Sequence, residues 1–282
     1  MGEMTGRVCV VTGASGGIGR ATAVELARRG ATVTLVARSR ERGQAVLAQI
    51  VRDTGRTDAT LVLADLSRPA EVRRAAAELL AAHPRIHVLV NNAAQYTRKR
   101  TLTADGIETQ WAVSHLASFL LTNLLLPRLM ESAPARVVTV SSGAHAGGKL
   151  VWDDLEMRRR RYSGLRQYAN TKLANALFTR ELARRTAGSG VTANTLHPGV
   201  VATELLMNGF PPIRLFRRWL KTPEQGAATS VYLATSPEVA TMTGQYFIDQ
   251  RPAPFASPLA TNDEAARTLW ELSARAVGLA AD

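Results

Sequence analysis

Tyr168 and Lys172 are the residues from which chemistry can be argued first. They lie four apart in the helical run Tyr168-Ala169-Asn170-Thr171-Lys172, so both occupy one helix face. The 282-residue chain holds five tyrosines and only four lysines (Lys99, Lys149, Lys172 and Lys221), so this spacing is rarely met by chance. A free phenol, with a pKa of about 10, is a poor base at neutral pH. A neighbouring ammonium favours the phenolate and lowers that pKa. The pair then serves as an acid/base for a carbonyl or alcohol oxygen. Ser142, just past the apolar run Arg136–Ser141, would add a hydroxyl that holds the same oxygen.

A second constellation opens the chain. The run Val8–Thr12 leads directly into Thr12-Gly13-Ala14-Ser15-Gly16-Gly17-Ile18-Gly19, and a helical pattern follows at once. Gly13, Gly17 and Gly19 carry a glycine pattern that lets backbone approach a diphosphate, with Ser15, Gly16 and Ile18 lining the same turn. The free N–H groups and positive end of the following helix attract that diphosphate. The next apolar run ends in Ala37-Arg38. An NAD site usually places a carboxylate here for the adenosine ribose. Ala37 offers none, whereas Arg38 has the planar fork that holds a 2′-phosphate, so the expected cofactor is NADP(H). Arg20 and Arg40 are expected to assist.

These residues need a frame. Short runs rich in Val, Leu and Thr (Val8–Thr12, Thr32–Ala37, Thr60–Ala64, Val88–Asn91, Arg136–Ser141, Val191–Leu196) read as buried strands. Helical patterns separate them: Ile18–Arg29, Arg40–Thr54, Pro69–Ala82, Glu108–Met130 and Leu165–Ala187. Strand–helix alternation with fully apolar strands predicts an α/β fold, one doubly wound parallel sheet of Rossmann type with helices on both faces. Gly244–Ile248 reads as a last strand and residues 262–276 as a closing helix. No linker divides the chain, so residues 1–282 are expected to form one domain. Segments 143–162 and 204–222 are the least regular and are expected to cover the substrate pocket. Leu205, Leu206, Met207, Phe210, Ile213, Leu215, Phe216 and Trp219 make the second of them apolar. It suits a bulky lipophilic substrate and equally a core or subunit contact.

Composition narrows the function classes. Hydrophobic residues are 46% and charged residues 21%, the balance of a globular chain rather than a disordered one. The lone Cys9 excludes an intrachain disulfide and a multi-cysteine zinc site, and no metal is expected. The N-terminus carries no charged-then-apolar signal pattern, and the run Leu116–Leu129 alone is too short and too polar to span a bilayer. The expected setting is the reducing cytoplasm. The formal charge of +12 raises nucleic acid or membrane as partners. Most arginines follow helix faces, and no nucleic-acid motif accompanies them, so no nucleic-acid partner is expected. Arg158–Arg161 and the stretch from Arg214 to Lys221 are the two basic segments that would suit an anionic surface. Peripheral membrane contact is the less favoured reading of them, and self-association stays open.

The glycine loop, Asn91-Asn92-Ala93-Ala94, Ser141-Ser142, Tyr168-x-x-x-Lys172 and His197-Pro198-Gly199 together resemble the short-chain dehydrogenase/reductase family, in order and context. The runs Ser142-Gly143-Ala144-His145, Thr171-Lys172-Leu173-Ala174-Asn175 and Thr222-Pro223-Glu224-Gln225-Gly226-Ala227 are similar to its retinol dehydrogenase and WW-domain oxidoreductase branch. The resemblance covers about residues 6–278. It implies hydride transfer between NADP(H) and a carbonyl or alcohol of a small molecule. Tyr168 would be the acid/base, Lys172 the ligand of the nicotinamide ribose and Ser142 the substrate anchor. Asp65 with Leu66 would bracket the adenine, and Asn92 and Ala93 would border the cofactor. Pro198, Gly199, Val201 and Thr203 would reach the nicotinamide and diphosphate.

One position departs. The family places an Asn in the central helix to hold a water of the proton relay, and here Val113-Ser114-His115-Leu116 has Ser114. Ser114 is shorter and has no amide, so either it holds the water at longer reach or the relay takes another path. His115, His145 and His197 read as space-filling residues. Two further readings follow from the same residues: a protein that binds NADP without redox turnover, as a sensor or scaffold, and a non-redox cyclase or isomerase reusing the fold.

The absent carboxylate at Ala37 yields a direct test. NADPH is expected to bind at least tenfold tighter than NADH, a difference of about 1.4 kcal/mol, and Arg38→Ala to shrink that gap. Fluorescence titration with both cofactors measures it, and equal wild-type affinities would contradict the assignment.

Overall fold

The computed structural model describes residues 2–209 and 219–280. Its frame is one eight-stranded sheet in the order β3-β2-β1-β4-β5-β6-β7-β8. The strands are β1 (Val8–Thr12), β2 (Thr32–Ala37), β3 (Thr60–Leu63), β4 (Val88–Asn91), β5 (Ala135–Val140), β6 (Val191–His197), β7 (Tyr246–Ile248) and β8 (Arg251–Ala253). All pairings are parallel except β7 with β8. Helices cover both faces, so the strands are apolar throughout rather than alternating: β4 is buried at every position. Chain order runs outward from β1 to β3, then returns to β4 on the other side. The ends of β1 and β4 therefore diverge, and their loops open a crevice between them.

One face carries α1 (Gly17–Arg28), α2 (Arg40–Thr54) and α8 (Pro223–Thr235). The other carries α3 (Pro69–Ala82), α5 (Ala117–Glu131), α6 (Gly164–Arg185) and α9 (Asp263–Val277). Two buried clusters correspond to these faces. Within the second layer, Phe119, Phe178 and Trp270 pack as an aromatic group, with ring centroids 4.9 to 5.8 Å apart. Cys9 belongs to the opposite cluster, and burial pushes its thiol up to about 12, so it is an inert packing residue.

The central helix differs from the unbroken pattern Glu108–Met130. It starts as the short α4 (Thr109–Trp111), opens into a π turn over Ala112–Leu116 and continues as α5. Glu108 caps it: its carboxylate, fully buried, accepts the N–H groups of Gln110 and Trp111. This composite helix, Thr109–Glu131, is long and apolar enough to cross a membrane by length and composition, unlike Leu116–Leu129 alone. Here 61% of its most apolar window is buried inside the protein, which makes it a core element. Two elements lie outside the sequence reading. The helix α8 has apolar and small residues on all sides, hence no amphipathic period, yet a capping box joins Thr222 and Gln225 ahead of Pro223. The strand β8 contains Pro252, tolerated at a sheet edge.

Of the irregular segment 204–222, residues 204–209 form the short helix α7 (Glu204–Gly209). Phe210, Ile213, Leu215, Phe216 and the basic residues from Arg214 to Arg218 lie outside the described residues, as does the Leu206 side chain. Trp219 is 87% exposed. The segment 143–162 is bound to itself. Asp154, buried, accepts the backbone N–H groups of Arg158, Arg159 and Arg160 and the Nε of Arg160. Arg158 pairs with Glu156 and Arg159 with Asp153. Three of the four consecutive arginines are thereby neutralised by acids of the same loop, so the run is not the open cationic patch that its sequence suggests.

The aromatic group fixes how α5, α6 and α9 meet. Phe178→Ala is expected to cost about 3–5 kcal/mol, read as a lowered denaturant midpoint with an unchanged slope.

Candidate active site

The crevice between the ends of β1 and β4 is a cleft of about 690 Å³. Its floor begins where β1 ends. Gly13 takes a left-handed φ of 65°, and a Cβ there would sit 2.9 Å from the Ala93 Cα. Gly19 is tighter: a Cβ would stand 2.4 Å from both the Gly13 carbonyl oxygen and Asn92 Nδ2. That approach is used. Asn92 donates its side-chain amide to the Thr12 carbonyl at 2.9 Å, and the N–H groups of Asn92 and Ala93 donate to the Thr12 hydroxyl. The glycine turn and the end of β4 are thus stitched together.

The first turn of α1 is left open. Its cap residue, Gly16, has no side chain to accept the free N–H groups, and no acid stands in the first turn. These donors and the helix dipole face the cleft, the arrangement that takes a diphosphate. Bare backbone, absent Cβ atoms and an uncapped helix end therefore fit a dinucleotide. Ser15, Gly16, Gly17, Ile18, Arg38, Asp65 and Leu66 line the same half of the cleft. Asp65 also accepts the Ser67 N–H, which shapes its turn. Pro198, Gly199, Val201 and Thr203 line the wall after β6. That wall is held by a bridge from Val201 to Lys221.

The arginines sort differently from expectation. Arg38 lines the cleft. Arg20 does not: it is bound to Gln49 and Glu224 on the outer side of α1. Arg40 does not line the cleft either. Arg42, one helical turn after Arg38, does, and its guanidinium makes a two-pronged bond to Glu204 at 3.0 and 3.1 Å. It was missed because nothing in the spacing distinguishes it from the many helix-face arginines.

Ser142, Tyr168 and Lys172 meet at the inner end. Ser142 follows β5, its hydroxyl accepts the Ala144 N–H at 3.2 Å, and it lines the cleft together with Tyr168. His145 is more than a filler. Ala256 donates its N–H to Nε2, so Nδ1 carries the proton and donates to the Ser142 carbonyl at 2.8 Å, fixing that turn. Tyr96 packs edge-on against Tyr168, with centroids 6.1 Å apart. None of residues 143–162 lines the cleft; Val200 and Leu205 do, from the other irregular segment.

Two expectations at this end are corrected. The phenol of Tyr168 is not lowered overall. Burial raises it, against a smaller opposing effect of the neighbouring Ser142 hydroxyl. Lys172 is itself fully buried, which brings its ammonium down to about 8. Its Nζ donates to the Val140 carbonyl at 2.9 Å and lies 5.6 Å from the Tyr168 ring centroid. Ser114 does not reach the cleft. Its hydroxyl accepts the Gln95 N–H at 3.1 Å and donates toward the Gln95 carbonyl at 3.4 Å, so its single O–H is turned to Gln95 and away from the cleft. The π turn presents the Ser114 carbonyl instead, and Asn175 donates to it.

Comparison with known proteins agrees with this geometry. The model of the family described as short chain dehydrogenase matches residues 7–212. The chain is 42% identical to retinol dehydrogenase 12 of Mus musculus over 280 residues, covering 98% of this chain and 88% of that protein. A crystal structure of a protein from Mycobacterium paratuberculosis superposes with a TM-score of 0.81 at 34% identity, over 99% of this chain and 96% of that one. A short chain dehydrogenase from Shigella flexneri 2a, complexed with NADP, superposes with a TM-score of 0.73 at 26% identity, over 88% of this chain and 98% of that one.

The tight glycine turn gives a mutational test. In Gly19→Ala the added methyl meets backbone at 2.4 Å. Destabilisation of about 1–3 kcal/mol is expected, with loss of dinucleotide binding. Thermal unfolding and cofactor titration on the same variant check both parts.

Proposed function

The chain belongs to the short-chain dehydrogenase family, and from that premise we propose that Tyr168, Lys172 and Ser142 carry out its reaction. It is an NADP(H)-dependent oxidoreductase acting on a carbonyl or alcohol of a lipophilic small molecule. NADP(H), when bound, supplies or accepts the hydride. Gly13 to Gly19 would bind the diphosphate, Arg38 and Arg42 the 2′-phosphate, and Asp65 with Leu66 the adenine side. Asn92, Ala93, Pro198, Gly199, Val201 and Thr203 would shape the remaining wall.

The observation that supports this reading is that Ser142, Tyr168 and Lys172 all line the inner end of that cleft. Two O–H groups on one wall of a cleft can grip one carbonyl oxygen. Burial keeps the phenol protonated through the neutral range, so Tyr168 enters reduction as the proton donor. As it gives up the proton, the phenolate is stabilised by the Lys172 ammonium on the same helix face. Ser142, whose turn is fixed by His145, holds the oxygen in line for that transfer. Val113, Tyr96, Val200 and Leu205 give the mouth an apolar lining, which suits a lipophilic body. Retinoid carbonyls are the first substrates to test, by analogy with the retinol dehydrogenase relative. We place the protein in the cytoplasm as a single domain, on its one buried cysteine and undivided sheet.

Loss of reduced-nicotinamide absorbance with a panel of lipophilic aldehydes and ketones tests the reading. Tyr168→Phe is expected to lower turnover about 10²-fold or more while NADPH still binds. Wild-type reduction is expected to fall as pH rises through about 8, where Lys172 loses its proton. Wild-type protein that binds NADPH but consumes none with any carbonyl would support a sensor or scaffold instead.

A further inference from the structure

Behind Lys172 lies a closed chain of hydrogen bonds that the reaction above does not use. Asn175 is on α6, three residues beyond Lys172, and is 1% exposed. Its Nδ2 donates to the Ser114 carbonyl at 2.9 Å and approaches the Val140 carbonyl at 3.5 Å. The Val140 carbonyl is the same oxygen that accepts Lys172 Nζ. Asn175 Oδ1 faces His115 Nδ1 at 3.3 Å, and His115 Nε2 faces the Ser273 hydroxyl at 2.8 Å. Each direction is fixed by its neighbours. Two carbonyls require the amide nitrogen on their side, so Oδ1 must accept from His115 Nδ1–H. That leaves Nε2 to accept the Ser273 proton. His115 is fully buried, and burial brings it down to about 4, so it stays neutral and keeps this single tautomer.

We propose that Asn175 is a positioning residue for Lys172, oriented by His115 and Ser273, and that it supplies from α6 the amide that position 114 lacks. The proposal rests on the oxidoreductase reading only for its effect on rate. Physically, the amide fills the Ser114 carbonyl and shares the Val140 carbonyl with the Lys172 ammonium. Lys172 Nζ is thus held at Val140 alone, with its other N–H groups free to turn toward the cleft. Lys172 is faced by Tyr168 from its own helix and by the Val140 carbonyl from β5, and Asn175, which shares that carbonyl, is faced by the Ser114 carbonyl and His115 from the π turn. Among the described residues, the charged or titratable side chains lining the cleft beyond Tyr168, Tyr96 and Lys172 itself are Arg38, Arg42, Asp65, Arg98, His197 and Glu204.

With only four lysines in the chain, the ionisation of Lys172 can be followed directly by NMR of the free protein labelled at lysine Cε. The signal is assigned by its loss in Lys172→Met. Asn175→Leu leaves the Val140 carbonyl to the ammonium alone and removes the amide N–H dipole that shares it, so the Lys172 pKa is expected to rise by about one unit. NADPH-dependent kcat is expected to fall about tenfold, with KM for the carbonyl and NADPH affinity changed less than about threefold. His115→Phe should shift Lys172 in the same direction by less, and His115→Gln, whose amide can still donate to Asn175, should stay near wild type. A folded Asn175→Leu with wild-type Lys172 ionisation overturns the proposal. Should that variant fail to fold, identical titrations for His115→Phe and His115→Gln overturn it equally. A wild type that consumes no NADPH while the titration shifts appear would sink the oxidoreductase reading and leave the positioning role standing.

Discussion

The cleft exists because two backbone segments come closer than any side chain would permit. At the divide between β1 and β4, the space beside Gly13 and Gly19 is already filled by Asn92 and Ala93. The hydrogen bonds from Asn92 and Ala93 to Thr12 convert this proximity into a rigid joint. With the turn fixed, α1 must start where its unsatisfied N–H groups face the crevice, and the helix cannot be capped from within. The sheet order then sets everything else. The strand β5 lies next to β4 and delivers Ser142. The strand β6 lies beyond it and delivers His197 to Thr203. The helix α6, crossing from β5 to β6, lays Tyr168 and Lys172 across the opening.

At the reacting end, burial outweighs charge. A phenol and an ammonium on one helix face suggest mutual stabilisation, with the phenol lowered. Instead both are withdrawn from water, and each is pushed toward its neutral form: Tyr168 upward and Lys172 downward. The two shifts have one cause. A neutral phenol is a proton donor, and an ammonium near its titration point responds readily to a charge that develops beside it. A neutral phenol on the cleft wall is matched to a carbonyl oxygen that gains a proton.

How far the sequence discloses this differs by feature. The glycine turn, the Tyr168/Lys172 spacing and the apolar strands are local patterns, and their placement follows from alternation and handedness. The helix α8 is legible only through Thr222, Pro223 and Gln225, because a helix buried on most sides has no polar stripe to set a period. The role of Arg42 depends on a partner, Glu204, 162 positions away. The network of Asn175, His115 and Ser273 depends on a π turn that shifts the Ser114 carbonyl out of helical register, and no residue type announces such a turn. The arginine run at 158–161 misleads for the opposite reason: its charges are countered by Asp153, Asp154 and Glu156, acids only a few residues before it.

The burial of Lys172 has a consequence wherever the carbonyl offered to the cleft is an aldehyde. Aldehydes condense with neutral primary amines to give Schiff bases. Exposed lysines are protected by their charge, since their ordinary pKa of about 10.4 leaves little free amine. An amine at about 8 lacks that protection and would be the most nucleophilic in the chain. Lys172 is protected by geometry instead. It is 1% exposed, and its nitrogen is turned to the Val140 carbonyl. An aldehyde in the cleft would lie close to this amine, which burial and the bond to the Val140 carbonyl hold in place. Restraint by the fold, in place of the charge that guards exposed lysines, would be what limits imine formation there.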